Sequence, residues 1–104
     1  MDVDLFETLS AFSGKLHGHK YVFPVAVWLL GHQSIGPITQ PEIRTGLIHA
    51  ESNRIFEALE RLAEIGAVRE LPRANGRRYF ETSSSFYWEY VEAQAKALGA
   101  PAEL

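Results

Sequence analysis

The sequence predicts a mainly α-helical protein with one small β-hairpin, which is an α+β fold. The first observation behind this prediction is that apolar residues recur at intervals of three or four over residues 55–65, which is typical of an amphipathic helix. The second is the dipeptide Asn75-Gly76 between two short β-type runs, because a type I′ turn needs positive φ at both central positions. Gly66 separates helix and hairpin, where a left-handed helix end is expected.

The composition is that of a globular protein of one domain, which we place at residues 1–104. Of its 104 residues, 46% are hydrophobic and 22% are charged, as is typical of soluble proteins. The absence of cysteine excludes a disulfide scaffold and a thiolate metal site. The acidic start differs from that of a signal peptide, and the longest apolar run, residues 21–30, is about half of the roughly 20 residues that span a bilayer. We therefore expect a cytoplasmic protein without a membrane partner.

The first helix is expected to begin at Asp2 or Asp4, since aspartate is a favoured N-cap residue. The segment 17–19 ends it. Its apolar residues form one narrow stripe that needs a single partner surface. They are Leu5, Leu9, Phe12 and Leu16.

Residues 21–30 predict a second helix, with Pro24 in its first turn. Its apolar residues cover nearly the whole circumference, which is typical of a helix buried at the centre of a core. A buried strand is the alternative, because the run is rich in β-branched and aromatic residues.

The next segment predicts a short helix, a tight turn and a longer helix. Thr39 and Glu42 have the spacing of a capping box, which starts the short helix over residues 41–47. Residues 46–49 make the turn, and the longer helix begins near Ala50 or just after it. This is the helix-turn-helix arrangement.

The longer helix has one apolar and one polar face. The apolar face is expected to pack on the core and comprises Ile55, Ala58, Leu59, Leu62 and Ile65. The polar face comprises Asn53, Glu57, Glu60, Arg61 and Glu64. Glu57 precedes Arg61 by four residues, a spacing that favours an ion pair along a helix.

The hairpin is the basic part of an acidic chain. We expect its strands over residues 68–71 and 78–82, with a short β-bridge to Ile38. The formal net charge of the chain is −3, yet residues 69–78 contain four arginines against one glutamate. The net charge of the chain therefore disfavours nucleic-acid binding, while the local charge of the hairpin makes it a candidate nucleic-acid contact.

A last helix is predicted over residues 86–98, with Ser84 or Ser85 as its cap and with Gly99 and Pro101 at its end. Its apolar residues occupy more than half of the circumference. The helix therefore either crosses the core, or packs on its own chain with one side and on a second subunit with the other.

Residues 39–82 resemble the winged helix-turn-helix of bacterial transcription regulators, especially of the MarR and PadR types. The features that match are the capped segment ITQPEI, the block ALERLAEIGAV and the wing segment NGRRYF. The resemblance implies N-terminal helices in residues 1–37, the helix-turn-helix and wing in residues 38–82, and a C-terminal dimerisation helix in residues 83–104.

The resemblance further implies a homodimer that binds double-stranded DNA and regulates transcription, most simply as a repressor that occludes a promoter. The longer helix would enter the major groove and read bases through Ser52, Asn53, Arg54 and Glu57. The wing and the short helix would hold phosphates or the minor groove through Arg44, Arg69, Arg73, Arg77 and Arg78. The flanking helices would form the dimer through Leu5, Leu9, Phe12, Tyr87, Trp88, Val91 and Leu98.

Several alternatives stay open at this stage. Glu57 could accept a hydrogen bond from cytosine or be held by Arg61, and Arg69 could pair with Glu81 across the hairpin. The acidic face of the longer helix and the negative net charge favour a second function, a winged helix used for protein–protein contact without DNA.

Metal binding and catalysis find little support in the sequence. The four histidines are scattered, so we predict structural or surface roles and no metal site; they are His17, His19, His32 and His49. The chain has no Gly-rich phosphate loop or nucleophile elbow, so we predict neither an enzyme nor a cofactor. The aromatic residues of the last helix are predicted to be core and dimer interface. Alternatively, they line a pocket for a small-molecule effector with Trp28; these aromatic residues are Phe86, Tyr87, Trp88 and Tyr90.

Overall fold

The fold is that of a computed structural model, which describes residues 1–32, 36–47 and 50–100. Within these ranges the elements are α1 (Val3–His17), α2 (Val22–Gly31), β1 (Ile38–Thr39), α3 (Gln40–Gly46), α4 (Ser52–Glu64), β2 (Val68–Ala74), β3 (Arg77–Thr82) and α5 (Phe86–Ala97). The predicted α+β class is confirmed. The predicted turn residues 48–49 and the helix-ending Pro101 lie outside the described residues.

Helix α1 begins at the predicted cap, where the Asp2 side chain accepts a hydrogen bond from the Leu5 amide at 3.0 Å. It ends at Gly18, which has a φ of +67°. The predicted stripe was wrong for Leu16, which is 48% exposed. The buried face of the helix comprises Phe6, Leu9, Ser10 and Ser13.

The hydroxyl of Ser13 explains this shift of the buried face. It donates to the His19 carbonyl at 2.5 Å and accepts from the Phe23 amide at 2.9 Å. These two bonds hold the α1–α2 corner, residues 17–21, against the end of α1. The apolar stripe alone could not reveal this, because a serine carries no hydrophobic signal.

Helix α2 is a helix, as predicted, and not the alternative strand. Residues 22–29 are all buried, because α1, α3, α4 and α5 pack around them. Near its end, Trp28 stacks on His32 with 3.8 Å between ring centroids. Gly46 at the end of α3 lies so close to Trp28 that a Cβ there would overlap the indole. Although α2 is apolar, no helix in the described ranges is long and apolar enough to cross a membrane.

Helices α3 and α4 form the predicted helix-turn-helix. The capping box is present, with the Glu42 carboxylate accepting from the Thr39 amide at 3.2 Å. Helix α4 ends at Glu64, and Gly66 follows with a φ of +78°. Ile65 was wrongly placed on the buried face and is 54% exposed, because it lies beyond the helix end. The buried residues of α4 are Ile55, Ala58, Leu59 and Leu62.

The three strands form one antiparallel sheet in the order β1-β3-β2. The predicted bridge is confirmed, since Ile38 pairs with Phe80. The β2–β3 turn has positive φ at both Asn75 and Gly76, 54° and 72°, as the type I′ prediction requires. The register of β2 on β3 is irregular between residues 71 and 74, so this part of the hairpin departs from a regular ladder.

Helix α5 buries residues against its own chain that the sequence placed in a dimer interface. Its cap is Ser85, whose hydroxyl accepts from the Tyr87 amide at 3.1 Å. Trp88 is buried and its indole N–H donates to the carbonyls of Ala67 and Ser83 at 3.1 and 2.9 Å. Three of the predicted dimer residues are buried within the single chain; they are Leu9, Trp88 and Val91. The predicted dimer residues that stay partly exposed are Leu5, Phe12, Tyr87 and Leu98.

Candidate nucleic-acid interface

The start of α4 carries exposed polar side chains, as predicted for a base-reading helix. Asn53 and Arg54 are exposed and Ser52 is partly buried. Neither Asn53 nor Arg54 makes a hydrogen bond or ion pair with a described residue. The Gln40 side chain donates to the Ser52 carbonyl at 3.3 Å, so α3 fixes the position of this helix start.

Glu57 and Arg61, one turn further along α4, are held by the α1–α2 corner. The His19 imidazole is buried, and its Nδ1 lies 3.2 Å from the Tyr21 amide that donates to it. The proton is therefore on Nε2, which donates to Glu57 at 3.1 Å. Arg61 donates to the His17 carbonyl at 3.2 Å. The predicted Glu57–Arg61 pair is wrong, because each residue binds the corner instead.

Two of the four wing arginines are paired with glutamates. Arg69 forms an ion pair with Glu81, its direct cross-strand partner, which confirms the alternative interpretation of this residue. Arg78 donates from Nε and Nη2 to both carboxylate oxygens of Glu70, at 2.8 and 2.9 Å. These hydrogen bonds lower the pKa of the Glu70 carboxyl, an effect that desolvation partly offsets.

The other two wing arginines, Arg73 and Arg77, are exposed and form no ion pair with the described part of the chain, although the charge of Arg73 helps to lower the pKa of the Glu70 carboxyl. Both line a cleft of about 310 Å³ between the wing and the helix-turn-helix. Its other lining residues are Thr39, Gln40, Pro41, Phe56, Gly76 and Arg78. The cleft therefore brings two unpaired cations beside α3 and α4.

A second, shallow cavity of about 410 Å³ runs along α3 and includes the predicted phosphate ligand Arg44. It shares Gln40 and Pro41 with the wing cleft. Arg44 is exposed and unpaired among the described residues. The start of α3 thus lies between Arg44 and the wing arginines, so three unpaired cations surround it.

A titratable pair joins α1 to α5 behind this surface. Burial lowers the pKa of the His17 imidazole, and the Arg61 guanidinium lowers it further. Burial also raises the pKa of the Tyr87 hydroxyl, with a contribution from Tyr90. The Tyr87 hydroxyl oxygen lies 3.1 Å from Nε2 of His17, within hydrogen-bond distance.

The predicted ligand pocket of aromatic residues is not assembled by the described contacts. Trp28 stacks on His32, whereas Trp88 bonds the carbonyls at the base of the hairpin. For metals, the described ranges contain no group of three His, Asp or Glu side chains that could hold an ion.

The sequence did not single out Glu70, Phe56 and His19 as parts of this surface. A signal was available for Glu70, because it lies opposite Phe80 in the register and Arg78 is two residues away on the same face. His19 and Glu57 are 38 residues apart, and no spacing rule predicts such a contact.

No protein-family model and no curated protein matches this chain. Solved structures of MarR from E. coli do match. Wild-type MarR in its apo form has a TM-score of 0.63 at 17% identity, over 91% of this chain and 71% of that chain. The reduced form of MarR has a TM-score of 0.58 at 18% identity, over 91% and 67% of the two chains. A MarR mutant complexed with operator DNA has a TM-score of 0.57 at 18% identity, over 91% and 65%.

The matched portion includes nearly all of this chain, and the elements described above are those of a winged helix-turn-helix with flanking helices. At such low identities the likeness concerns the path of the backbone and not individual side chains. The chain therefore has the winged-helix fold of MarR.

Proposed function

We propose that the protein is a sequence-specific, double-stranded DNA-binding transcription regulator. The observation that carries this proposal is the group of exposed arginines on the wing and the helix-turn-helix. Arg73 and Arg77 line the cleft beside α3 and α4, and Arg44 and Arg54 are exposed on α3 and α4. Phosphate contacts from arginine supply most of the affinity of a protein for DNA. The fold supports the same function, because a MarR mutant of this fold was solved with operator DNA.

In the proposed complex, the first turn of α4 enters the major groove. Asn53 is suited to adenine and Arg54 to guanine, since each can form two hydrogen bonds with the base edge. Arg73 and Arg77 would hold the flanking phosphates or the minor groove. Glu57 contributes less to base readout than the sequence suggested, because His19 holds its carboxylate.

We further propose that the regulator is a homodimer of bacterial cytoplasm that represses by occluding a promoter. Two-fold dimers place two reading helices on successive major grooves. Support for a dimer comes from apolar side chains that α1 and α5 leave in solvent, with Phe86 88% and Leu16 48% exposed. The proposal includes neither catalysis nor a cofactor. A small-molecule effector or a partner protein would regulate the DNA binding of this dimer.

The test is DNA binding at two salt concentrations, with a library of genomic fragments. We expect tighter binding at low salt, and a flatter salt dependence for Arg77→Ala, because each lost phosphate contact removes about 0.9 from the slope of log K against log salt. Lys96→Ala is the matched control: it removes the same charge from α5, where Lys96 lies 3.5 Å from Glu92. If the wild-type protein binds no fragment at low salt, the proposal fails.

A second candidate function is protein–protein contact. It is favoured by the exposed carboxylates Glu60 and Glu64 on α4 and by the net charge of −3. This function predicts no DNA binding at low salt and a partner surface that charge reversal at Glu64 disrupts. The same salt experiment therefore separates the two functions.

A further inference from the structure

Arg78 is a largely buried arginine at the junction of the wing and α4. Its side chain is 24% exposed. The guanidinium contacts Glu70 in β2, Phe80 in β3, and Phe56 and Glu60 in α4. One side chain therefore joins both strands of the wing to the helix proposed to read DNA.

The contacts occupy the edges and the faces of the guanidinium. Two parallel hydrogen bonds join it to Glu70 at 2.8 and 2.9 Å. Its Cζ lies 4.9 Å from the ring centroid of Phe56 and 5.3 Å from that of Phe80, within the range of cation–π attraction. Glu60 approaches Nη2 at 3.9 Å. Glu70 occupies Nε and Nη2, so a phosphate could bind these two nitrogens only by displacing it.

The outer half of the hairpin has few other supports. A two-stranded hairpin is marginally stable by itself, and among the described residues β1 pairs with β3 at Phe80 and Tyr79 alone. Beyond these residues the register is irregular between Leu71 and Ala74, and such irregularities bend and re-aim a strand. A side chain that joins this part of the hairpin to α4, which we call the anchor, would determine the position of the hairpin tip.

We propose that Arg78 is a positioning residue that fixes the wing against α4, and that it thereby sets the distance of Arg73 and Arg77 from the start of α4. In this proposal Arg78 supports the wing, whereas the sequence predicted that it contacts DNA. The part that concerns DNA rests on the proposed function, whereas the anchoring itself is a property of the free protein.

Removing the charge of Glu70 tests the proposal, because positioning and simple charge predict opposite changes in DNA affinity. If charge alone mattered, Glu70→Gln would tighten DNA binding, because the wing would become more positive. We expect the opposite, binding weakened by roughly three- to tenfold, the range for losing an ion pair and loosening a cation–π contact. Glu64→Gln removes the same charge from an exposed carboxylate that is unpaired among the described residues, and should bind at least as tightly as wild type. Tighter binding by Glu70→Gln than by Glu64→Gln would overturn the proposal.

The conservative variant Arg78→Lys separates positioning from phosphate contact. Lysine keeps the charge but lacks the planar fork and the stacking surface. We expect a three- to tenfold loss of affinity with the wild-type salt slope, whereas Arg77→Ala should lower the slope by about 0.9 per subunit, or about 1.8 for the proposed dimer. Wild-type affinity in Arg78→Lys, or a slope lowered by about 0.9 per subunit in Arg78→Ala, would contradict positioning.

Hydrogen exchange of the free protein tests the anchor without DNA. Arg78→Lys and Glu70→Gln should speed exchange of the hairpin amides, residues 68–82, while the buried amides of α2 keep their protection and report an intact core. Arg77→Ala should leave the hairpin unchanged. Equal hairpin exchange in all four proteins would overturn the anchor whatever the DNA result. Faster exchange of the hairpin amides in Arg78→Lys and Glu70→Gln, together with no DNA binding by the wild-type protein, would support the anchor and contradict the proposed function.

Discussion

Replacing Ser13 by alanine should destabilise the protein far more than the loss of one oxygen suggests. The hydroxyl is completely buried, donates to the His19 carbonyl at 2.5 Å and accepts from the Phe23 amide at 2.9 Å. Phe23 lies in the first turn of α2, where an amide has no partner within its own helix. Alanine would leave both backbone groups buried without this partner.

The size of the effect follows from these two groups. Leaving a buried donor or acceptor unsatisfied costs about 1–3 kcal/mol, so for two groups we expect the free energy of unfolding to fall by about 2–6 kcal/mol. The total stability of such a domain is about 5–15 kcal/mol, so this is a large fraction. Urea denaturation followed by tryptophan fluorescence measures it, and a thermal midpoint lowered by roughly 4–8 °C per kcal/mol should accompany it.

Ser10 provides a matched control in the same helix. Its hydroxyl is also buried but has no hydrogen-bond partner among the described residues. Ser10→Ala should therefore be neutral or stabilising, since it removes an unsatisfied polar group. If Ser13→Ala and Ser10→Ala differ by less than about 0.5 kcal/mol, the reasoning is refuted, because that is the range of substitutions without a specific effect.

Three further predictions concern α3, α1 and the proposed dimer. Gly46→Ala should lower the free energy of unfolding by about 1–3 kcal/mol, because the new Cβ would overlap Trp28. Gly14→Ala should raise it by roughly 0.5–1 kcal/mol, because the new Cβ meets open space and alanine favours the helix. Equal urea midpoints for the two variants would contradict this prediction. The pKa of the His17 imidazole is lowered in the folded protein, so the unfolded chain binds more protons than the folded one. The neutral ring therefore stabilises the fold above about pH 6.5, and this stabilisation disappears as pH falls. His17→Gln should flatten the decline of the urea midpoint between roughly pH 7 and 5, and an unchanged decline would contradict this explanation. Phe86→Ser should leave unfolding within about 0.5 kcal/mol of wild type but weaken self-association in sedimentation, because this ring is 88% exposed; unchanged association would remove it from the interface.

The local elements were predictable because their signals are local. The Asp2 cap, the Thr39–Glu42 box and the Asn75-Gly76 turn each act within four residues, and all are present in the fold. Helix α2 was predictable because an all-round apolar surface leaves it only the centre of the core.

The failures come from contacts between distant segments. A helical wheel gives the apolar arc of a helix but not the part that neighbours cover, so Leu16 was placed inside although it is half exposed. Trp88 is buried within its own chain, and its bonds to backbone carbonyls near the hairpin leave no mark in the sequence. The same reason hid the contact between His19 and Glu57.

The candidate site was predictable in part. The exposure of Asn53 and Arg54 follows from the polar face of the helix. The four wing arginines could be counted, but their division into paired and unpaired residues depends on strand register and on α4. Only the structure distinguishes the unpaired Arg77 from the neighbouring Arg78, which lies against Phe56.

Footprinting on a selected genomic fragment tests DNA recognition by this protein, because it reads both the sequence specificity and the symmetry of binding. A dimeric winged-helix reader should protect two half-sites related by a two-fold axis, with centres about one helical turn, roughly 10 base pairs, or a multiple of it apart. Protection of flanking minor grooves should weaken in Arg77→Ala, while the two half-sites stay in place. Uniform protection without a defined site, or no protection at low salt, would contradict the account.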